Sequence, residues 1–303
     1  MLDKILLIMI ATSLTLFALD SEQKSQVRAQ RSLKLSFIVK SYMASKNAKR
    51  HVINLAGKQR MLTQKMVKLA LLSDLKVDTE NSKVQLLKTA KLYQQTLNGF
   101  LEADTSIKLQ KTKDAEVRAY IKALQKEWRP FYENIKSCEK HPKALSYVID
   151  KNQLLLAHSD RLVKLFKKHG SKSNFMEKSR ENIIDIAGRE RMLIEKMTKE
   201  KLLLAKQINI QENRKNLQQT ITLFENSLKA LRKGDSRLHI TKAHDKEIVM
   251  QLNKVNTLWK KLKPYYVETK SSTKVLSALV SQARVLREEM NDAVHLCEIK
   301  ADY

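Results

Sequence analysis

Residues that make turns and bends are scarce in this chain of 303 residues, which has only 5 Gly and 3 Pro. All-β folds and βαβ folds with glycine-rich phosphate loops depend on these residues, so both are excluded. Aromatic residues make up only 6% of the chain, but hydrophobic residues reach 43% and recur throughout it. That supply of apolar residues excludes a disordered chain. The composition therefore predicts an all-α protein.

Cysteine and histidine are also too few and too scattered for a metal or redox centre. Cys138 and Cys297 form no CxxC pair, and the sequence contains no nucleophile elbow, Walker loop or EF-hand loop. None of the 7 His has the i, i+4 spacing typical of a helical metal pair. We therefore expect a non-catalytic protein with no metal and no cofactor. Whether the two cysteines pair in a disulfide stays open, because their distance is unknown from sequence.

Acidic residues are fewer than basic ones: the chain has 32 Asp and Glu against 58 Lys and Arg, which gives a net charge of +26. A nucleic-acid partner is the first alternative that such an excess raises. The basic residues, however, spread along every predicted helix and form no single tract with interleaved aromatics. This distribution disfavours nucleic acid and indicates a solvated basic surface with a general attraction for anions.

One long apolar run is present, at residues 5–19, and it follows a short start that carries Lys4. Its 15 residues match the apolar region of a signal peptide and fall short of the roughly 20 that a membrane-spanning helix needs. Residues 1–19 are therefore predicted to be a signal peptide or an N-terminal anchor. Either alternative places the protein in the periplasm, with membrane contact only through an uncleaved N-terminus. Residues 20–39 are expected to be a helical arm.

An internal repeat without gaps organises the rest of the chain. Residues 53–72 read INLAGKQRMLTQKMVKLALL and residues 184–203 read IDIAGRERMLIEKMTKEKLL, with 11 of the 20 aligned positions identical. The same register, in which residue 53 aligns with residue 184, also superimposes Trp128 on Trp259, the only two Trp of the chain. A register held over this distance indicates a duplicated unit.

Turn-forming residues divide each repeat into four helical segments. The predicted helices are 22–74, 78–103, 112–137 and 142–169 in the first repeat, and 175–207, 211–233, 241–263 and 268–300 in the second, with Pro264 ending the seventh. Four helices with short links are typical of an up-down-up-down bundle. We therefore predict two tandem four-helix units, 40–170 and 175–300, related by an approximate two-fold axis, with parallel first helices.

The repeated segment has two apolar stripes on opposite sides of one helix, so it is expected to pack on both. One stripe carries an arginine, Arg60, that follows Gly57 by three residues, and its twin Arg191 follows Gly188. Small residues let two helix backbones approach closely, and two guanidiniums brought together repel unless something negative lies between them. The pattern predicts an anion site, although a solvated arginine with a buried stem is the ordinary alternative.

Two neighbouring positions complete the candidate ligand-binding set. Gln64 lies one turn after Arg60, and its equivalent in the second repeat is Glu195. Because Glu195 follows Arg191 by four residues, the two side chains could pair within one helix and make the site asymmetric.

AGKQRMLTQKM and AGRERMLIEKM resemble the signature of the PilJ/NarX-type sensor domain, found in type IV pili methyl-accepting transducers and nitrate/nitrite sensor kinases. The resemblance covers about 40–170 and 175–300 and implies a periplasmic four-helix bundle. It also implies that Arg60 and Arg191 hold a small oxyanion such as nitrate or nitrite, with Gly57 and Gly188 as the close-approach residues. A membrane receptor or kinase is the implied partner. The alternative is a helical interaction protein that docks a receptor or pilus component and binds no small ligand.

Overall fold

A computed structural model describes residues 21–169, 175–268 and 272–300. The predicted signal peptide or anchor at 1–19 and the link at 170–174 lie outside the described residues. Packing divides the chain into one unit up to Ala48 and a second from Lys49 onward. Side chains of the first unit include exposed Leu33 and Phe37. Both copies of the repeated segment lie in the second unit.

Eight α-helices account for almost all of the described residues, which confirms the all-α prediction. They are α1 (Ser21–Asp74), α2 (Thr79–Glu102), α3 (Ala115–Ser137), α4 (Pro142–His169), α5 (Phe175–Ala205), α6 (Ile210–Lys233), α7 (Lys246–Val267) and α8 (Thr273–Ile299). Within those described ranges no helix has an apolar stretch long enough to cross a membrane.

Matching backbone features show that the duplication extends to the turns. After α1, the Val77 amide bonds the carbonyl of Leu72 at 2.9 Å, and after α5 the Ile208 amide bonds that of Leu203 at 3.0 Å. This is the 6→1 hydrogen bond of the Schellman motif, which satisfies a carbonyl at the helix end. Short 3₁₀ helices at Thr105–Ile107 and Ser236–Leu238 follow α2 and α6 at equivalent places.

Aspartate caps explain where two helices begin later than predicted. Asp114 accepts a hydrogen bond from the Val117 amide, and Asp245 accepts from the amides of Glu247 and Ile248. Such caps satisfy amides that lack an intrahelical partner, so α3 and α7 begin there and not at 112 and 241.

The prediction that Pro264 ends the seventh helix was wrong. Pro264 lies inside α7, which continues to Val267, and its carbonyl accepts a hydrogen bond from the Glu268 amide at 2.9 Å. Proline lacks a backbone N–H but keeps its carbonyl. Pro264 can therefore still accept the hydrogen bond that closes the last turn of α7.

Equivalent aromatic pairs fill the two halves of the core. Tyr93 and Trp128 have ring centroids 4.4 Å apart, and Phe224 and Trp259 have theirs 4.6 Å apart. All four rings are buried. Both cysteines carry unpaired thiols, so Cys138 and Cys297 form no disulfide.

Candidate functional site: the contact between the two repeats

The two copies of the repeated segment run side by side in the same direction. Arg50 of α1 bonds Glu177 of α5, and further along the same two helices Lys68 bonds Glu195. Partners therefore advance together along both helices, as parallel packing requires. Both apolar stripes of the segment are buried, as shown by Leu62 and Met66 on one and Ile53 and Val67 on the other.

Glycine makes room for each arginine. A Cβ at Gly57 would lie 3.2 Å from Nη2 of Arg60, and a Cβ at Gly188 would lie 3.3 Å from Nη2 of Arg191. Long helical side chains point toward the helix N-terminus, so each guanidinium folds back over the residue three positions earlier. Nη2 of Arg60 is also only 4.0 Å from the Cβ position at Gly188. The two guanidiniums therefore meet at one place between the helices.

Carboxylates neutralise the first arginine. Arg60 is 2% exposed, and its Nη2 donates to Oδ1 of Asp185 at 2.7 Å and to the Asp185 carbonyl at 3.1 Å. Its Nη1 donates to Oδ1 of Asp160 at 3.1 Å. Asp185 belongs to the second repeat, so the chain itself supplies a negative group at the contact.

Amides surround the second arginine. Arg191 is also 2% exposed, and its Nη2 donates to Oδ1 of Asn54 at 2.7 Å while Nη1 donates to Oδ1 of Asn291 at 2.9 Å. Its Nε, like that of Arg60, is buried without a hydrogen-bond partner among the described residues. Among the described residues no carboxylate pairs directly with Arg191.

The two arginines contact equivalent positions of the two repeats, but the residues at those positions differ in charge. Asn54 of the first repeat aligns with Asp185 of the second, and Asp160 aligns with Asn291. Each arginine thus contacts the same two positions of the pseudo-symmetric fold. Two carboxylates occupy them around Arg60, and two uncharged amides occupy them around Arg191.

A second layer continues the same pattern. Glu298 accepts from Asn54, and the Lys167 ammonium donates to Asp185 at 2.9 Å. Lys167 aligns with Glu298, so the outer charge is also inverted between the repeats. Glu298 also contacts His51, whose Nδ1 lies 2.6 Å from a carboxylate oxygen of Glu298.

Burial and neighbouring charges shift the ionisation of these groups. Burial, and then the charge of Arg60, lower the pKa of Arg191 to about 10, although Glu298 opposes this. Burial alone would raise the pKa of Asp185, but the charges of Arg60 and Lys167 outweigh it and lower the pKa to about 2. The site therefore holds an ionised Asp185 beside Arg60 and an incompletely compensated cation at Arg191.

The structure does not bring Gln64 or Glu195 to the arginines. Gln64 Nε2 donates to the hydroxyl of Thr63 at 3.1 Å. Glu195 is ion-paired with Lys68 at 2.6 Å and with Arg287 at 3.0 Å. The suggested pair of Arg191 and Glu195 within one helix is therefore not formed, because cations of α1 and α8 take the carboxylate.

Comparison with known families identifies the repeated unit. The family model described as "Type IV pili methyl-accepting chemotaxis transducer N-term", PilJ, matches residues 42–151 and again residues 174–285. The chain belongs to the PilJ family. It carries two tandem PilJ regions, and each contains one copy of the Gly-x-x-Arg segment. No curated protein matches the chain.

The family is that of a sensor domain of chemotaxis transducers and not a catalytic family. Its transducers relay to kinase partners, which agrees with the predicted receptor or kinase partner. Among the described residues no group of three His, Cys, Asp or Glu could hold a metal ion.

Sequence reasoning missed the side chains that bind each arginine. A signal was nevertheless present, because the repeat register that aligns Arg60 with Arg191 also aligns four polar pairs. These pairs are Asn54 with Asp185, Asp160 with Asn291, His51 with Asn182, and Lys167 with Glu298. Polar residues that differ in charge at equivalent positions mark a place where the duplicated PilJ regions have diverged.

Proposed function

We propose that this PilJ protein is an exported sensor that binds a small oxyanion such as nitrate or nitrite at Arg191, between the repeats 40–170 and 175–300, and relays the bound state to a partner. The single observation that carries the proposal is the environment of Arg191. Its guanidinium is buried, and its partners are the neutral amide oxygens of Asn54 and Asn291, where Arg60 has two carboxylates. A planar oxyanion provides the negative charge that these amides lack, and it can also accept from the unpartnered Nε of Arg191.

Arg60 has a different role in this proposal. Its Nη groups donate to the carboxylates of Asp160 and Asp185, so its charge is already compensated, whereas the Nη groups of Arg191 donate only to neutral amides. Arg60 therefore adds positive potential beside the anion, while Asp185 keeps the pair of arginines from repelling without a ligand. Gly57 and Gly188 leave the space in which the guanidiniums lie.

The position of Arg191 explains how anion binding would be relayed to other helices. Arg191 lies on α5 and donates to Asn54 of α1 and Asn291 of α8. An anion that draws the guanidinium away from either amide changes contacts between three helices at once. A shift between two packed arrangements of such helices is a common form of signalling.

Calorimetry with nitrate, nitrite and chloride on the wild-type chain and on Arg191→Lys tests the proposal. Loss of the planar fork in Arg191→Lys is expected to weaken nitrate or nitrite binding about tenfold or more, while Arg60→Lys has a smaller effect. Asn291→Asp supplies Arg191 with the carboxylate that Arg60 has, and is expected to abolish binding.

Two results would contradict the proposal. The first is no heat from any oxyanion with the folded wild-type chain. The second is binding that persists unchanged in both Arg191→Lys and Asn291→Asp. Either result favours a helical protein that docks a receptor or pilus component without a small ligand.

A further inference from the structure

A cavity of about 470 Å³ lies between α1, the start of α2 and α8. None of the side chains that bind Arg60 or Arg191 lines it. Its walls include four cationic side chains, two from each repeat: Lys65, Lys68, Arg284 and Arg287. Part of the wall is apolar and consists of Leu69, Leu72, Val77 and Val280.

The carboxylates near the cavity leave two of these cations without a counter-charge. Glu195, behind the wall, pairs with Lys68 and Arg287. Of the two carboxylates in the lining, Glu288 contacts Arg287 at 3.3 Å and Asp78 accepts from Asn81 at 2.7 Å.

Lys65 and Arg284 form no hydrogen bond or ion pair with any residue that the structure describes. Lys65 is half-buried among like charges. Burial lowers the pKa of its ammonium to about 8, with added repulsion from Arg287 and Lys68 that Glu195 only partly offsets. Arg284 is exposed at the mouth of the cavity. An anion in the cavity would relieve the unfavourable placement of Lys65 and would form a charge-assisted hydrogen bond with each cation.

The two arginines are a local feature and not a by-product of the duplication, whereas the two lysines recur as Lys196 and Lys199. At the equivalent positions of the other repeat, Gln153 replaces Arg284 and Leu156 replaces Arg287. Asp150 stands there in place of Ser281. The equivalent groove therefore lacks both arginines and gains a carboxylate, so it provides an internal control.

We propose that this cavity binds a small organic anion, with its carboxylate held by Lys65 and Arg284 and its apolar part packed on Leu69 and Val280. The hydroxyls of Ser277 and Ser281 provide further donors in the lining. A volume of 470 Å³ falls within the range of pockets that take organic ligands and is far larger than a nitrate ion needs. This site goes beyond the oxyanion site at Arg191 and does not rest on it.

Calorimetry on the full chain with benzoate and succinate at pH 8 tests the cavity, with inorganic phosphate as the comparison anion. We expect one of the carboxylates to bind more tightly than phosphate. Arg284→Gln and Lys65→Gln should each weaken that binding about tenfold, the usual effect of losing one charge-assisted contact. Gln153→Ala in the equivalent groove and Lys229→Gln on an exposed surface should leave it unchanged.

Proton uptake gives a second, independent readout. A bound carboxylate should raise the pKa of Lys65 from about 8, so binding at pH 8 should take up about half a proton. Calorimetry in two buffers of different ionisation enthalpy measures this uptake, and Lys65→Gln should abolish it. The cavity proposal is overturned if neither carboxylate binds, if phosphate binds as well as they do, or if folded Arg284→Gln binds with wild-type affinity.

Discussion

Arg60 of the first repeat donates a hydrogen bond to the Asp185 carboxylate of the second, with Nη2 and Oδ1 2.7 Å apart. At the pseudo-symmetric place, Arg191 donates to the amide of Asn54 at the same distance of 2.7 Å. One geometry is thus used twice, once with a charged acceptor and once with a neutral one. The difference sets how each side of the contact should respond to mutation, pH and anions.

Asp185→Asn should destabilise the fold by about 3 kcal/mol, because it leaves Arg60 buried without its closest carboxylate. Asp160→Asn should cost less than about 1 kcal/mol, since the Asp160 side chain is 37% exposed. The pKa of Asp185 is lowered to about 2, so its contribution is present above the unfolded value of about 4 and is lost as pH falls toward 2. Urea unfolding of both variants at pH 7 and pH 3 measures these effects. Equal losses for the two variants at pH 7 would contradict the assignment.

Glu190→Gln should stabilise the protein at neutral pH. Glu190 is fully buried, and burial raises its pKa well above the ordinary value. A carboxyl group whose folded pKa is raised costs stability as pH rises above its unfolded pKa of about 4.3. The equivalent residue in the first repeat is the buried amide Gln59. Urea unfolding at pH 5 and pH 8 should show a gain for the variant that grows with pH, and a loss at pH 8 would refute this account of Glu190.

Ala103→Gly should stabilise the protein by about 1 kcal/mol. Ala103 follows α2 with φ 73° and ψ 155°, a conformation that strains any residue with a Cβ, and the equivalent residue after α6 is Gly234 with φ 82°. Thermal unfolding measures the gain. Gly234→Ala is the matched reverse change and should destabilise, because its Cβ would also lie 3.0 Å from the Lys242 amide nitrogen. A lower midpoint for Ala103→Gly would show that the backbone there is not strained.

His51→Asn should remove a pH-dependent part of the stability, and Asn182 already occupies the equivalent position. The hydrogen bond to Glu298 raises the pKa of His51 against the opposing effect of burial. Stability from a raised histidine pKa is fully present below the unfolded value of about 6.5 and is lost as pH rises through the folded value. The wild-type chain should therefore lose its advantage over His51→Asn between pH 6 and pH 9, measured by urea unfolding. A constant difference across that range would mean that His51 does not titrate there.

The sequence was sufficient to predict the all-α architecture, the duplicated four-helix pattern and the PilJ family. Apolar spacing and turn residues carry that information locally, as the match between residues 53–72 and 184–203 illustrates. The partners of the arginines were not predicted, because Asp160 reaches Arg60 from α4 across 100 positions of the chain. Glu195 shows the same limit, since a local pairing with Arg191 was reasonable but Lys68 and Arg287 of two other helices pair with it instead. Helix packing determines such contacts, and periodicity within one helix does not reveal them.

The central claim, that Arg191 is the anion-responsive member of the pair, is tested most directly by ¹⁵N NMR of the arginine Nε–H groups during a nitrate titration. Assignment by Arg60→Lys and Arg191→Lys identifies the signals of these two arginines. We predict that the Arg191 signal shifts with saturable dependence on nitrate, that the Arg60 signal moves less, and that chloride at equal ionic strength reproduces neither change. An Arg191 signal that stays unchanged across the whole nitrate titration, or that shifts no more than the Arg60 signal, would contradict the claim.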